Sequence, residues 1–167
     1  MKVRIFTEDR YAPGFINELI KRLKNEGYLN PNIQTKTSPI NKYNYRKVNE
    51  KIKASITDYD KIILLIDYEC KKYTNPEDII RQYTKDIKNK EKITVIFTEP
   101  EIEEWICISL GYKFDKNGFT KYKKPSKILK EKIGYEKSNL HKYVKDLNIN
   151  LLLENSRSFK EFLEALK

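Results

Sequence analysis

Asp67 and Glu69 are the residues of this chain best placed to do chemistry. They follow Lys61–Ile66, a short run of β-branched and aliphatic residues introduced by Asp58-Tyr59-Asp60, which is the pattern of one buried strand. On a strand, residues i and i+2 point to the same side, so a strand that keeps its geometry to the tip turns both carboxylates one way. Two like charges at such a place repel unless a cation sits between them. Oxygen donors suit a hard divalent cation, Mg²⁺ or Mn²⁺, which keeps open positions for water and phosphate. Such an ion polarises a phosphoryl oxygen and activates a nucleophile. The plainer alternative is a solvated exit from strand to loop.

Further acids fall at comparable places. Glu8 and Asp9 follow Lys2–Thr7, a first strand, and Thr98-Glu99-Pro100-Glu101-Ile102-Glu103-Glu104-Trp105 follows Lys92–Phe97, another short buried strand. Helix capping and the helix dipole account for acids in a first turn, but four Glu within six residues exceed what a cap requires. If the strands are parallel, their carboxyl ends share one edge of the sheet, where open α/β folds keep their ligands.

The elements that would position these acids alternate. Ile16, Leu19, Ile20 and Leu23 follow helical spacing from Pro13 to Gly27. Asn32–Thr37 is a candidate second strand, and Asn44–Thr57 repeats Val48, Ile52 and Ile56 as a helix with a charged outer face. Asn75-Pro76-Glu77-Asp78 starts a helix carrying Ile79, Ile80, Tyr83 and Ile87. Pro100 opens another helix that runs through Trp105 to Gly111. Beyond Tyr112 the chain turns basic and aromatic. Asn117-Gly118 marks a turn or hairpin, and Ser126–Ile133 and Ser138–Leu147 read as short helices. Asn148–Leu153 reads as a last strand or the end of the preceding helix, and Ser158–Leu166 as a terminal helix behind a Ser cap. Strand and helix alternation predicts an α/β fold, a mostly parallel sheet flanked by helices. Arg4, inside the first strand, is expected at an edge or surface.

The chain has 167 residues, which suits one domain over 1–167, with a core of about 1–111 and a basic, mostly helical C-terminal extension of about 112–167. Its formal net charge of +10 makes an anionic partner plausible, nucleic acid first; the same Lys-rich surface also occurs as a plain solvated face. Two cysteines, Cys70 and Cys107, and one histidine, His141, argue against a Cys/His zinc site and a histidine triad. Met1 leads into a strand with no signal segment, and no apolar run reaches membrane-spanning length, so the expected location is the cytoplasm.

An acid after the first strand followed by an Asp-x-Asp-like pair after a later one resembles the Toprim fold of topoisomerases, primases and nucleases. Pro100-x-Ile-Glu-x-Trp105 is similar to the Pro-x-Phe-Glu-x-Trp segment of small stand-alone Toprim proteins, the RloB-like families among them. Lys130 to Lys137, Lys-Glu-Lys-Ile-Gly-Tyr-Glu-Lys, is similar to their basic C-terminal region. The resemblance spans roughly Lys2 to Lys142. It implies a Toprim-like fold and a Mg²⁺- or Mn²⁺-dependent nuclease acting on DNA or RNA, in defence or mobile-element biology. A partner ATPase or a homodimer would fit the same setting. Glu8 would then be the catalytic acid or base and a metal ligand, Asp67 and Glu69 the other metal ligands, and Glu103 a further catalytic acid. Toprim proteins usually carry Gly after the first acid, where this chain has Asp9, whose Cβ restricts the approach of backbone to phosphate. Glu69 is longer than the Asp it replaces.

Arg10, Lys71, Lys72, Lys113, Lys121, Lys123 and Lys124 are the candidate nucleic-acid contacts, with Tyr112, Phe119 and Tyr122 available for base stacking. Two rival readings stay open. A non-catalytic nucleic-acid- or partner-binding module with a degenerate Toprim site fits the Asp9 departure. A receiver-like phosphoacceptor domain would use Glu8-Asp9, Asp67, Thr98 and Lys124, but leaves the helical tail and the Pro-x-Ile-Glu-x-Trp segment without a place.

Overall fold

The computed structural model describes residues 1–68, 75–118, 120 and 123–167. Four strands form one parallel sheet: β1 (Lys2–Thr7), β2 (Gln34–Pro39), β3 (Lys61–Asp67) and β4 (Ile93–Thr98). Their order is β2-β1-β3-β4. Register pairs Ile5 with Thr37 on one side and Ile63 on the other, and sets Asp67 opposite Thr98.

Alternation along the strands feeds two cores. Val3, Ile5, Ile63, Leu65 and Ile96 face α1 (Ala12–Asn25), α4 (Glu104–Leu110) and the C-terminal helices. Phe6, Ile62, Leu64, Ile66 and Phe97 face α2 (Tyr45–Ser55) and α3 (Pro76–Tyr83). Burial on both faces explains why β3 reads as a continuous apolar run rather than an alternating one. The helices therefore flank both faces, a Rossmann-like arrangement.

The local signals explain most boundaries. The Asp9 carboxylate accepts the N–H groups of Tyr11 and Ala12 at 2.7 and 2.9 Å, which starts α1 with Pro13 in its first turn. Gly27, at φ 81°, stops that helix, as only glycine adopts this backbone cheaply. Asn44 and Asn75 cap α2 and α3 through their side chains.

Several expectations are corrected. The second strand is Gln34–Pro39 rather than Asn32–Thr37. The helix expected from Pro100 begins at Glu104, because residues 101–105 first make tighter i to i+3 hydrogen bonds. Asn148–Leu153 is no strand. The Asn148 side chain accepts the Leu151 N–H at 3.1 Å and starts α6 (Ile149–Asn155), which buries Ile149 and Leu152 one turn apart. Ser156, not Ser158, caps α7 (Arg157–Ala165) by accepting the Phe159 N–H. Residues Lys137–Asp146 wind as a 3-10 helix.

The C-terminal part packs on the face that α1 and α4 share. Trp105 is fully buried there, edge-on to Phe159 at 5.2 Å and flanked by Phe15 and Phe162. Its indole N–H donates to Ser158 at 2.9 Å. α5 (Pro125–Ile133) adds Leu129, and the 3-10 segment adds Leu140 and Val144. Among the described residues no helix is long and apolar enough to cross a membrane.

Candidate acidic site at the carboxyl edge of the sheet

β2 lies to one side of β1 and β3 to the other, so the winding direction reverses between β1 and β3. In open α/β sheets the crevice beyond the strand ends at such a switch point is where ligands bind. Glu8 leaves β1 there, and Asp67 is the last residue of β3. They meet: Glu8 Oε2 accepts the backbone N–H of Asp67 at 2.7 Å.

Asp67 follows Ile63 and Leu65 in the two-residue alternation, so its side chain turns toward the α1 and α4 face. There its Oδ1 accepts the Thr98 hydroxyl at 3.0 Å and the Ile102 N–H at 3.1 Å, and holds the β4–α4 turn in place. Burial pushes the Asp67 carboxyl well above its ordinary pKa, and the neighbouring Glu8 and Glu103 push it the same way; Lys137 works against them.

The acids after β4 divide into separate roles. Glu101 Oε1 accepts the Ser126 N–H at 2.7 Å and caps α5, whose own N-cap residue, Lys124, makes no side-chain cap. Glu104 accepts the hydroxyls of Ser156 and Ser158 at 2.7 and 2.6 Å and the backbone N–H of Glu99, which ties α7 to β4. Glu99 pairs with Arg157 at 2.8 Å. Glu103 is left beside Asp67. It is fully buried, its Oε1 accepts the Tyr135 hydroxyl at 2.8 Å, and its Oε2 has no hydrogen-bond partner among the described residues. Burial, with Glu101 adding to it, raises its pKa to about 7.

Among the described residues two lysines bring positive charge into the cluster, and neither was among the site candidates read from the sequence. Lys42 Nζ lies 2.7 Å from Glu8 Oε1 and donates to the Asp67 carbonyl at 3.0 Å. Burial disfavours its charge, but Glu8 and Asp67 more than offset this and raise its pKa. Lys137 Nζ lies 2.9 Å from Asp9 Oδ2 and 3.9 Å from Glu103 Oε1. It too is raised, against the effect of burial, by Glu103 and Asp9. The signal for Lys42 was its place just past β2, on the same sheet edge as Glu8. Lys137 lay in the Lys130 to Lys137 stretch already singled out.

The structure thus brings Glu8, Asp67 and Glu103 together. Arg10 is adjacent, exposed, and bonded to the Tyr11 hydroxyl at 2.6 Å. Lys113 and Lys123 are exposed and make no hydrogen bond or ion pair with these acids, and Lys124 stands at the start of α5. Glu69, Lys71, Lys72 and Lys121, with Phe119 and Tyr122, lie outside the described residues. Arg4 is half-buried, with its guanidinium over Phe6 and donating to Ser38 and the Lys36 carbonyl.

The oxygens gathered here belong to Glu8, Asp67 and Glu103, whose Oε2 is buried and unpartnered among the described residues; carboxylate oxygens are the donor type that hard divalent cations take. Among the described residues no three acidic, histidine or cysteine side chains form a ready metal-holding group. The chain matches no family model, no curated protein and no solved structure.

Proposed function

We propose that this chain carries out metal-dependent phosphodiester chemistry on nucleic acid, hydrolysis in particular, at a Toprim-like site. The observation that carries the reading is the meeting of Glu8 and Asp67 at the switch point of the sheet, joined by the 2.7 Å hydrogen bond. Burial, Glu8 and Glu103 all raise the Asp67 pKa, so a bound cation would favour its ionised form. Asp67 and Glu8, together with Glu69, would hold Mg²⁺ or Mn²⁺. When bound, that ion polarises a phosphoryl oxygen and lowers the pKa of water.

The chain's own groups then have distinct tasks. Glu8, half-buried at the mouth of the crevice, moves a proton to or from the attacking water. Glu103, raised to about 7 and held by the Tyr135 hydroxyl, is a proton reservoir beside Asp67. Lys42 and Lys137 fix the acids before any ion arrives. The net charge of +10 favours a polyanionic substrate.

The test is Mn²⁺ and Mg²⁺ titration calorimetry on the wild type and Asp67→Asn, followed by plasmid nicking and RNA cleavage on the same samples. Ion binding and cleavage that both vanish in the variant support the proposal. No binding at millimolar ion defeats the autonomous-enzyme reading and leaves the non-catalytic module.

A further inference from the structure

A second feature adjoins the acids on the β2 side. A cavity of about 360 Å³ opens between the β1–α1 connection and α2, and Glu8 forms part of its wall. Its floor is apolar: Ile40 and Val48 are both buried, and Pro39 stands beside them. Its rim is cationic, with Arg10 on one side and Lys47 and Lys51 one helical turn apart on the other.

The charges around this cavity are unevenly compensated. Its two acids are engaged elsewhere, Glu8 with Lys42 and Asp9 with the start of α1 and Lys137. Among the described residues the three cations have no carboxylate partner. Arg10 meets the Tyr11 hydroxyl and ring, Lys51 donates to the Pro39 carbonyl at 3.1 Å, and the Lys47 ammonium makes no hydrogen bond or ion pair with the described residues. Just past the rim, in the connection from β2 to α2, Tyr43 is 73% exposed, the most exposed large apolar side chain described. A flat apolar floor, a cationic rim and an exposed aromatic ring are the parts of a single-strand binding site.

We infer that this cavity holds one nucleotide of single-stranded nucleic acid beside Glu8, with its phosphates on Arg10, Lys47 and Lys51 and a neighbouring base on Tyr43. The volume lies within the range for one small ligand. This inference rests on the proposed reading of Glu8 as part of a phosphodiester site, and it narrows the substrate to an unpaired strand or strand end. Lys47 and Lys51 sit on the phosphates, and Tyr43 supplies a sequence-tolerant surface.

The test is fluorescence anisotropy in EDTA with a short 3′-fluorescein-labelled DNA strand, so that neither metal binding nor cleavage enters the readout. Lys47→Ala/Lys51→Ala is compared with Lys53→Ala/Lys160→Ala, an equal change of charge at exposed positions away from the cavity. The cavity pair should weaken binding by about tenfold and flatten the slope of log K against log salt by roughly 1.4, as expected for two lost phosphate contacts on a single strand. Tyr43→Ala should weaken binding with no change in that slope. A blunt duplex of the same sequence should bind less tightly than the strand. Displacement of the strand by AMP at similar concentration would support the cavity and identify free nucleotides as its source of ligand. Equal losses from both lysine pairs, or a duplex bound as tightly as the strand, would overturn the inference. Either result can be obtained whether or not the metal titration succeeds.

Discussion

A single carboxylate oxygen, Glu8 Oε2, closes the gap between the ends of β1 and β3 by accepting the Asp67 backbone N–H at 2.7 Å. The other oxygen of Glu8 meets Lys42, which also donates to the Asp67 carbonyl. Glu8, Lys42 and the Asp67 peptide therefore form a closed ring of polar contacts across three strand ends.

Asp67 carries a structural duty as well as a proposed chemical one. Asp67→Ala leaves the Ile102 N–H without its acceptor and the Thr98 hydroxyl with only the longer contact to the Ile66 carbonyl at 3.4 Å, and should cost about 1–3 kcal/mol of stability. Asp67→Asn keeps an acceptor oxygen and should lose less than half as much. Urea unfolding of both variants checks this. Equal losses would mean that the negative charge, not the hydrogen bonds, holds the β4–α4 turn.

Lys42 is the internal counter-charge of Glu8. Lys42→Met should destabilise the fold by about 1–3 kcal/mol, because it strips a half-buried carboxylate and a carbonyl of one donor. The same variant should bind Mn²⁺ more tightly, since the ion no longer competes with the ammonium for Glu8. Calorimetry reads the second effect separately from the first. Weaker Mn²⁺ binding in a folded variant would place Lys42 in support of the ion rather than against it.

Glu103 gives a pH signature whose sign is fixed. Its pKa is raised from an ordinary 4.5 to about 7, mainly by burial and then by Glu101. Between those values the folded chain keeps a proton that the unfolded chain has released. Its contribution to stability is complete below about 4.5, falls as pH rises toward 7, and is level above that. Unfolding free energies at pH 5 and pH 8 should therefore show wild type losing more stability than Glu103→Gln across the interval. A parallel pair of profiles would refute the shifted titration.

Trp105 joins the sheet to the C-terminal helices. Trp105→Ala should cost about 3–5 kcal/mol, from lost contacts with Phe15, Phe159 and Phe162 and the loss of the indole hydrogen bond to Ser158, whose hydroxyl keeps Glu104 as its acceptor. If the folded variant still binds Mn²⁺ with unchanged affinity, its effect is packing alone, as measured by denaturation and calorimetry side by side.

The sheet was legible because burial on both faces leaves an unmistakable apolar run at Lys61–Ile66, and because proline and asparagine punctuate the helices. The meeting of Glu8 and Asp67 followed from the parallel sheet, whose strands share one carboxyl edge. Less legible was the division of labour among Glu99, Glu101, Glu103 and Glu104. A local spacing cannot show that the partners are Arg157, Ser126, Tyr135 and Ser156, which all lie more than twenty residues away in sequence. Lys42 escaped for the same reason, since its value depends on β2 lying beside β1. Asn148 illustrates a local competition: an apolar stretch that suits a strand becomes a helix once the residue before it caps the turn.

The contact between Lys137 and Asp9 spans most of the polypeptide. During synthesis Glu8, Asp67 and Glu103 all leave the ribosome before Lys137 does. The nascent sheet thus assembles its acids ahead of the Lys137 ammonium, and the segment bearing that group must dock before its charge reaches them. The C-terminal part is, in this respect, the last component of the crevice to be delivered rather than an appendage to a finished one.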